Sequence, residues 1–141
     1  MSNLEANKQL CRDYFKAFKA ADQAWWDKHI APTFVRHDTG LPFVVKGPSG
    51  LKQLSDVLNP GIPDLELPIE TVVAEGDKVL VQLRVVGTHG AEMLGISATG
   101  KKLDVQVMDL FKIAPEGDVI IEHWALLDNL MMLKQLGVVE S

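Results

Sequence analysis

Leu103-Asp104-Val105-Gln106-Val107-Met108-Asp109-Leu110-Phe111-Lys112-Ile113 is followed by Ala114-Pro115-Glu116-Gly117-Asp118 and then by Val119-Ile120-Ile121-Glu122-His123-Trp124-Ala125-Leu126-Leu127. Two Val/Ile/Leu-rich runs flank a segment of turn-forming residues, which reads as a β-hairpin. Alternate residues of a strand share a face. The first run therefore sorts into an apolar row, Leu103, Val105, Val107, Asp109, Phe111 and Ile113, and a mixed row, Lys102, Asp104, Gln106, Met108, Leu110 and Lys112. In the second run Val119, Ile121, His123, Ala125 and Leu127 form the apolar row, while Ile120, Trp124 and Leu126 lie on the other face. Each apolar row thus contains one ionisable residue, Asp109 in one and His123 in the other. With residues 114–118 as the loop, Ile113 pairs with Val119, and stepping along the ladder sets Asp109 opposite His123. A slip of one residue would expose one apolar row. Directly opposed side chains have Cβ atoms roughly 4.5–5.5 Å apart, close enough for a carboxylate to orient or charge an imidazole.

A carboxylate and an imidazole inside an apolar surround suit proton transfer. Burial and mutual attraction push their pKa values in opposite directions, so their protonation is not legible here. The competing explanation is a buried polar contact that helps fix strand register.

Working outward, residues 69–74 and 78–88 have the same strand character, separated by Glu75-Gly76-Asp77, and a Gly-rich stretch leads from Gly87 to Gly100. Upstream the period is helical. Leu4, Leu10, Cys11, Tyr14, Phe15 and Phe18 recur at steps of three and four, with Lys8, Arg12, Lys16 and Lys19 opposite. Cys11 falls on the apolar stripe and reads as a small core residue. A second helix is expected from an Asp22 N-cap to about Ile30, before Pro32, and a third from Gly47-Pro48-Ser49 to Asn59-Pro60-Gly61. A last helix, opened by Asp128, carries Leu130, Leu133 and Leu136 and stops at Gly137. Helices first and strands after give an α+β fold with a mostly antiparallel sheet. At 141 residues the chain is expected to be one domain, 1–141.

Of the other polar residues, His37, in the extended Thr33-Phe34-Val35-Arg36-His37-Asp38, is a candidate to reach the Asp109/His123 cavity from its rim. Asp128 is a second candidate, with helix capping as its alternative role. His29 reads as a helix-surface residue and His89 as a loop residue. Trp25 and Trp26 are about 100° apart on a helix, so one is expected in the core and the other at a pocket or interface. The greasy outer row containing Trp124 calls for a cover, and a homodimer is expected.

The formal charge of −5, without a Lys/Arg run, argues against nucleic acid as a partner. The polar start, Met1-Ser2-Asn3-Leu4-Glu5-Ala6-Asn7-Lys8, lacks the apolar block of a secretory leader, and no stretch approaches the roughly 18 apolar residues of a membrane span. The expectation is a soluble, cytoplasmic protein without membrane contact. No Gly-rich phosphate loop and no His/Cys ligand spacing occurs, so neither cofactor nor metal is expected.

Gly87-Thr88-His89-Gly90, Met93-Leu94-Gly95-Ile96, Ala98-Thr99-Gly100-Lys101, Asp109-Leu110-Phe111-Lys112-Ile113, Glu122-His123-Trp124 and Leu133-Lys134-Gln135-Leu136-Gly137 together resemble the SnoaL-like polyketide cyclases of the nuclear transport factor 2-like superfamily. The similarity runs from about Gln9 to Val138. It implies a cone-shaped, curved, mostly antiparallel sheet wrapped around N-terminal helices and open at one end into an apolar pocket, often dimerised through the sheet. It further implies a cofactor-independent aldol closure in which an Asp just after the position of Trp124 moves protons. Here that position is Ala125. A polar residue of the preceding strand, His in some cyclases, falls at Asp109. The acid/base group is therefore either relocated to Asp109 with His123, or lost.

Two functions follow as expectations. One is a cofactor-independent acid/base enzyme, of isomerase, cyclase or dehydratase type, acting on a small hydrophobic carbonyl compound through Asp109 and His123, with His37 and Asp128 as further polar contacts. Trp26, Phe34, Met93, Phe111 and Ala125 are the candidates to line its pocket. The other is a non-catalytic small-ligand-binding module of the same fold.

Overall fold

The computed structural model describes residues 3–140; Met1, Ser2 and Ser141, and with them the start of the polar N-terminal stretch, lie outside the described residues. The helix α1 (Leu4–Ala20) begins where the Asn3 side chain accepts a hydrogen bond from the Ala6 N–H and ends at Ala21 in the left-handed conformation. Its stripe buries Leu10, Cys11, Tyr14, Phe15 and Phe18, whereas Leu4, at the head of the stripe, is exposed. Asp22 caps α2 (Gln23–His29) through the Trp25 N–H, as its position before the helix suggested. Of the two tryptophans Trp26 is the core residue, and Trp25 packs against the His29 ring. His29 does more than face solvent: its Nδ1 donates to the Asp118 carbonyl at 2.8 Å and ties α2 to a distant hairpin loop.

After α2 the chain extends into β1 (Ile30–His37), makes the short β2 (Val45–Lys46) and enters α3 (Gly47–Gly61), with a proline in its first turn and Pro60 in its last. The strands β3 (Ile69–Glu75), β4 (Lys78–Thr88), β5 (Lys102–Ile113) and β6 (Ile120–Leu127) follow, and α4 (Asn129–Leu136) closes the fold between its Asp128 N-cap and its Gly137 C-cap. The sheet order is β2-β1-β6-β5-β4-β3. All neighbours are antiparallel except β1 and β6, which run parallel. One side of α1 packs on β3 and β4, while α3 packs on β1 and β2 at the opposite edge. A sheet holding helices against both of its edges must curl around them, and the apolar interior lies within that curl.

The β5–β6 ladder departs from the expected register by two residues. Ile113 pairs with Ile120, so the connection is one residue longer than the five-residue loop, with Gly117 and Asp118 both at positive φ. A β-bulge then follows, because Lys112 pairs with Glu122 and Ile121 is the extra residue. The first displacement alone would turn the apolar rows to opposite faces, and the bulge turns them back. Ile120, expected outside, is consequently fully buried, and Asp109 pairs with Ala125 instead of His123. From Glu122 onward the expected faces hold. Trp124 and Leu126 point outward, and the ladder Val73–Leu80–Leu110–Trp124 crosses four strands on the outer surface.

Candidate active site

Asp109 and His123 are both on the inner face, 2% and 0% exposed. Although they are not directly opposed, the diagonal offset brings Asp109 Oδ2 to 3.3 Å from His123 Nε2, within ion-pair distance though without hydrogen-bond alignment. Phe111, the residue that does oppose His123, stacks on the imidazole face with ring centres 4.1 Å apart and planes inclined by 16°. Tyr14 of α1 presents its ring edge-on to both, at 5.0 Å from Phe111 and 5.4 Å from His123. Enclosed in this way, His123 has its pKa lowered, because burial disfavours the imidazolium more than Asp109 favours it. The ring is therefore neutral near pH 7, with one nitrogen free to accept a proton.

A third ionic group, not singled out by its place in the sequence, lies here. Arg36 sits opposite His123 across the β1–β6 ladder. Its Nη2 and Nε donate to one oxygen of Asp38 at 3.0 and 3.3 Å, and the other oxygen of Asp38 accepts from the Gly40 N–H at 2.9 Å. Both side chains are nearly buried. Burial works against the guanidinium charge, but Tyr14, Asp109 and Asp38 together outweigh it and raise the Arg36 pKa. Burial pushes the Tyr14 phenol up to about 12, against the opposing pull of Arg36. Tyr14, Arg36, Asp38, Asp109 and His123 thus form one interior polar cluster. Among the described residues, the Tyr14 hydroxyl, Asp109 Oδ1 and both His123 ring nitrogens lack hydrogen-bond partners. Such groups are costly to bury and mark places where polar chemistry is retained.

The signal for Arg36 lay in the alternation of Thr33 to Asp38, which places Phe34, Arg36 and Asp38 in one row. That row is the inner one. His37 therefore points outward, where its Nε2 meets Glu122 at 2.7 Å and its ring stacks on Trp124, so it is not at the rim of the cavity. Asp128 is also apart from the cluster: it is exposed, and it accepts from the Met131 N–H as the cap of α4.

An apolar cavity of about 60 Å³ opens beside the cluster. Leu54 and Leu58 of α3, Met93, Leu127 and Met132 of α4 supply its apolar wall, and Arg36 and Asp38 its polar one. Arg36 and Asp38 belong to both cavity and cluster, whereas Tyr14, Asp109 and His123 stand behind them and do not line the cavity. Of the residues expected to line a pocket, Met93 does so. Trp26, Phe34 and Phe111 are fully buried packing residues, and half-buried Ala125 lies in the sheet beside Asp109 without reaching this cavity. The volume is well below the ~300–1,000 Å³ of a drug-sized site. At its edge Asn129, at the start of α4, lies against Gly40, where even a methyl group would come within 2.6 Å of its amide. His89, expected as an ordinary loop residue, is fully buried and accepts from the Thr99 N–H through Nδ1. Among the described residues no group of three His, Cys, Asp or Glu converges on a metal-sized site, and no helix is long and apolar enough to cross a membrane.

Comparison with known proteins agrees with this architecture. A family model described as SnoaL-like polyketide cyclase matches residues 8–136. TsrD from Streptomyces laurentii superposes with a TM-score of 0.86 at 25% identity, covering 99% of this chain and 100% of its own. A Jannaschia sp. CCS1 protein described as a SnoaL-like polyketide cyclase gives 0.83 at 27% identity, over 96% of this chain and 94% of its own. IdmH from Streptomyces antibioticus, described as a polyketide cyclase, gives 0.77 at 25% identity, over 93% and 98%. No curated protein matches by sequence.

Proposed function

We infer the activity from one premise, that the chain belongs to the SnoaL-like polyketide cyclase family. The protein is an acid/base enzyme that moves a proton on a small, mostly apolar carbonyl compound. Asp109 is the general base, and neutral His123 is its partner and the group that returns the proton. The observation that carries this reading is the buried, incompletely satisfied Asp109–His123 pair, whose imidazole stands opposite the cavity-lining Arg36. Ala125, the position where the family resemblance calls for an Asp, pairs directly with Asp109. A carboxylate moved from one position to the other shifts by a single strand spacing, roughly 4.8 Å, and stays on the same face. Such a move keeps a base in reach of the same interior. The chemistry requires only protein groups, and substrate gains access when α4 and the loop holding Gly40 separate.

The apolar lining of the cavity favours a second reading, a module that binds a small hydrophobic molecule without turning it over. On the outer face, the stripe through Leu80, Leu110, Trp124 and Leu126 is the surface on which a second copy docks, giving a homodimer.

Catalysed exchange of the α-hydrogens of 2-tetralone in heavy water, followed by proton NMR, separates enzyme from module. For the enzyme the rate is bell-shaped in pH, and Asp109→Asn lowers it by about 10²–10⁴-fold. Exchange equal in the two proteins removes Asp109 from the mechanism. Tetralone binding without exchange in either identifies the module.

A further inference from the structure

The acid/base reading leaves Arg36 without a task. We infer that Arg36 is the oxyanion-binding residue of this site, held in place by Asp38, and that it favours substrates acidic enough at carbon to form an enolate there, with small 1,3-dicarbonyl compounds as the favoured class.

The geometry places a cation where such a charge would develop. Arg36 faces the cavity on one side and stands opposite His123 on the other. Two of its nitrogens are committed to a single oxygen of Asp38, whose second oxygen is held by the backbone at Gly40. The guanidinium is thereby fixed, and a preset donor costs no reorganisation when charge appears in front of it. Asp38 is a positioning residue in this scheme, since it acts through Arg36.

The charge accounting favours the assignment. In this scheme Asp109 acts as the carboxylate, with Arg36 as the cation of the cluster and neutral His123 at its side. In the step, the Cα–H bond of the dicarbonyl breaks and its proton goes to an Asp109 oxygen. The bond's electron pair becomes the carbon–carbon double bond, while the carbonyl π pair moves onto oxygen as the enolate. The negative charge has moved from Asp109 to the substrate oxygen, and the total in the buried cluster is unchanged. Arg36 serves as counter-ion before and after the transfer. Passage of the proton from Asp109 to a His123 nitrogen, and from there to carbon or to a new bond partner of the enolate, restores the starting state with Asp109 ionised and His123 neutral. A ketone without a second carbonyl is less acidic at Cα, so more of the barrier remains after the fixed cation has acted. The inference rests on the acid/base reading but is measured separately from it.

The probe is pentane-2,4-dione, whose enol and enolate have distinct ultraviolet bands. Titrated in the presence of the intact protein, the bound dione is expected to ionise with an acid constant at least tenfold larger than in free solution. In Arg36→Met that enhancement is expected to vanish, and in Arg36→Lys, which keeps a cation in place, to be partly retained. Circular dichroism and melting establish that each variant is folded, and Arg36→Lys keeps the test decisive if Arg36→Met is not. Asp109→Asn is expected to keep the enhancement while losing tetralone exchange, so failure of the base and failure of the oxyanion site give different results. Pentan-2-one, which is neutral at the same pH, is expected to bind equally to wild type and Arg36→Lys. Absence of dione binding, an unchanged acid constant in the wild type, or an enhancement that survives in folded Arg36→Met each overturns the assignment.

Discussion

Tyr14 is the only tyrosine in the chain, so its ionisation can be followed without ambiguity. Its hydroxyl is buried without a hydrogen-bond partner between α1 and the sheet, and burial raises its pKa from 10 to about 12, with Arg36 opposing the shift and Asp109 adding to it. An unfolded tyrosine ionises near pH 10. Between pH 10 and pH 12 the unfolded chain therefore loses a proton that the native chain keeps. The stability linked to Tyr14 is fully present below pH 10 and is lost as the pH rises through 12. Two pKa units correspond to about 3 kcal/mol at roughly 1.4 kcal/mol each. The near-ultraviolet absorbance of tyrosinate is expected to rise near pH 12 in the native protein and near pH 10 in concentrated urea. Urea midpoints measured from neutral pH upward are expected to fall through this range in the wild type and much less in Tyr14→Phe. At neutral pH the same substitution removes a buried hydroxyl whose unmet bonding costs about 1–3 kcal/mol, so it is expected to be neutral or stabilising. A native tyrosine that titrates near 10, or an alkaline loss of stability unchanged in Tyr14→Phe, would refute the picture of a sealed polar cluster.

The acid limb tests His123 in the same way. Its native pKa lies below the unfolded value because burial outweighs Asp109, so stability is lost as pH falls from about 6.5 towards the native value, by at most about 1.4 kcal/mol per pH unit. His123→Phe is expected to flatten that slope in urea titrations, and an identical slope would contradict the assignment. Leu126, 69% exposed on the outer stripe, is expected to govern self-association, and Leu126→Asp should convert a dimer into a monomer in sedimentation equilibrium without altering the melting curve of the monomer. Gln135 clasps α4 to β5 by accepting from the Asp104 N–H at 2.9 Å and donating to the Asp104 carbonyl at 3.0 Å. Gln135→Ala is expected to cost about 1–3 kcal/mol and to speed amide exchange in α4 relative to the sheet.

Most of the architecture was legible because each element carries its own local signal. Asp22 and Asp128 sit directly before helical runs and cap them, Gly137 ends α4, and the alternation from Leu103 to Ile113 places Asp109 inside whatever the neighbouring strands do. The misplacement of His37 and the omission of Arg36 are long-range. No local pattern reveals that β1 runs parallel beside β6, and without that pairing His37 and Arg36 compete on equal terms for the interior. The ionic partners of Arg36 illustrate the same limit: Asp38 is two residues away and visible, whereas Asp109 is brought near only by the curl of the sheet. Reading Phe34, Phe111 and Trp26 as pocket lining mistook packed aromatic rings for an open wall, a distinction that depends on volume and has no signature in the order of residues.

The tip of the β5–β6 hairpin behaves like a reading frame. One added residue in the connection and one in the strand act as paired frameshifts, the second cancelling the first before the sequence reaches His123. Deleting Ile121 should therefore straighten the ladder while keeping His123 inside and Trp124 outside, because Ile113–Ile120 and Lys112–Glu122 can then pair without a bulge.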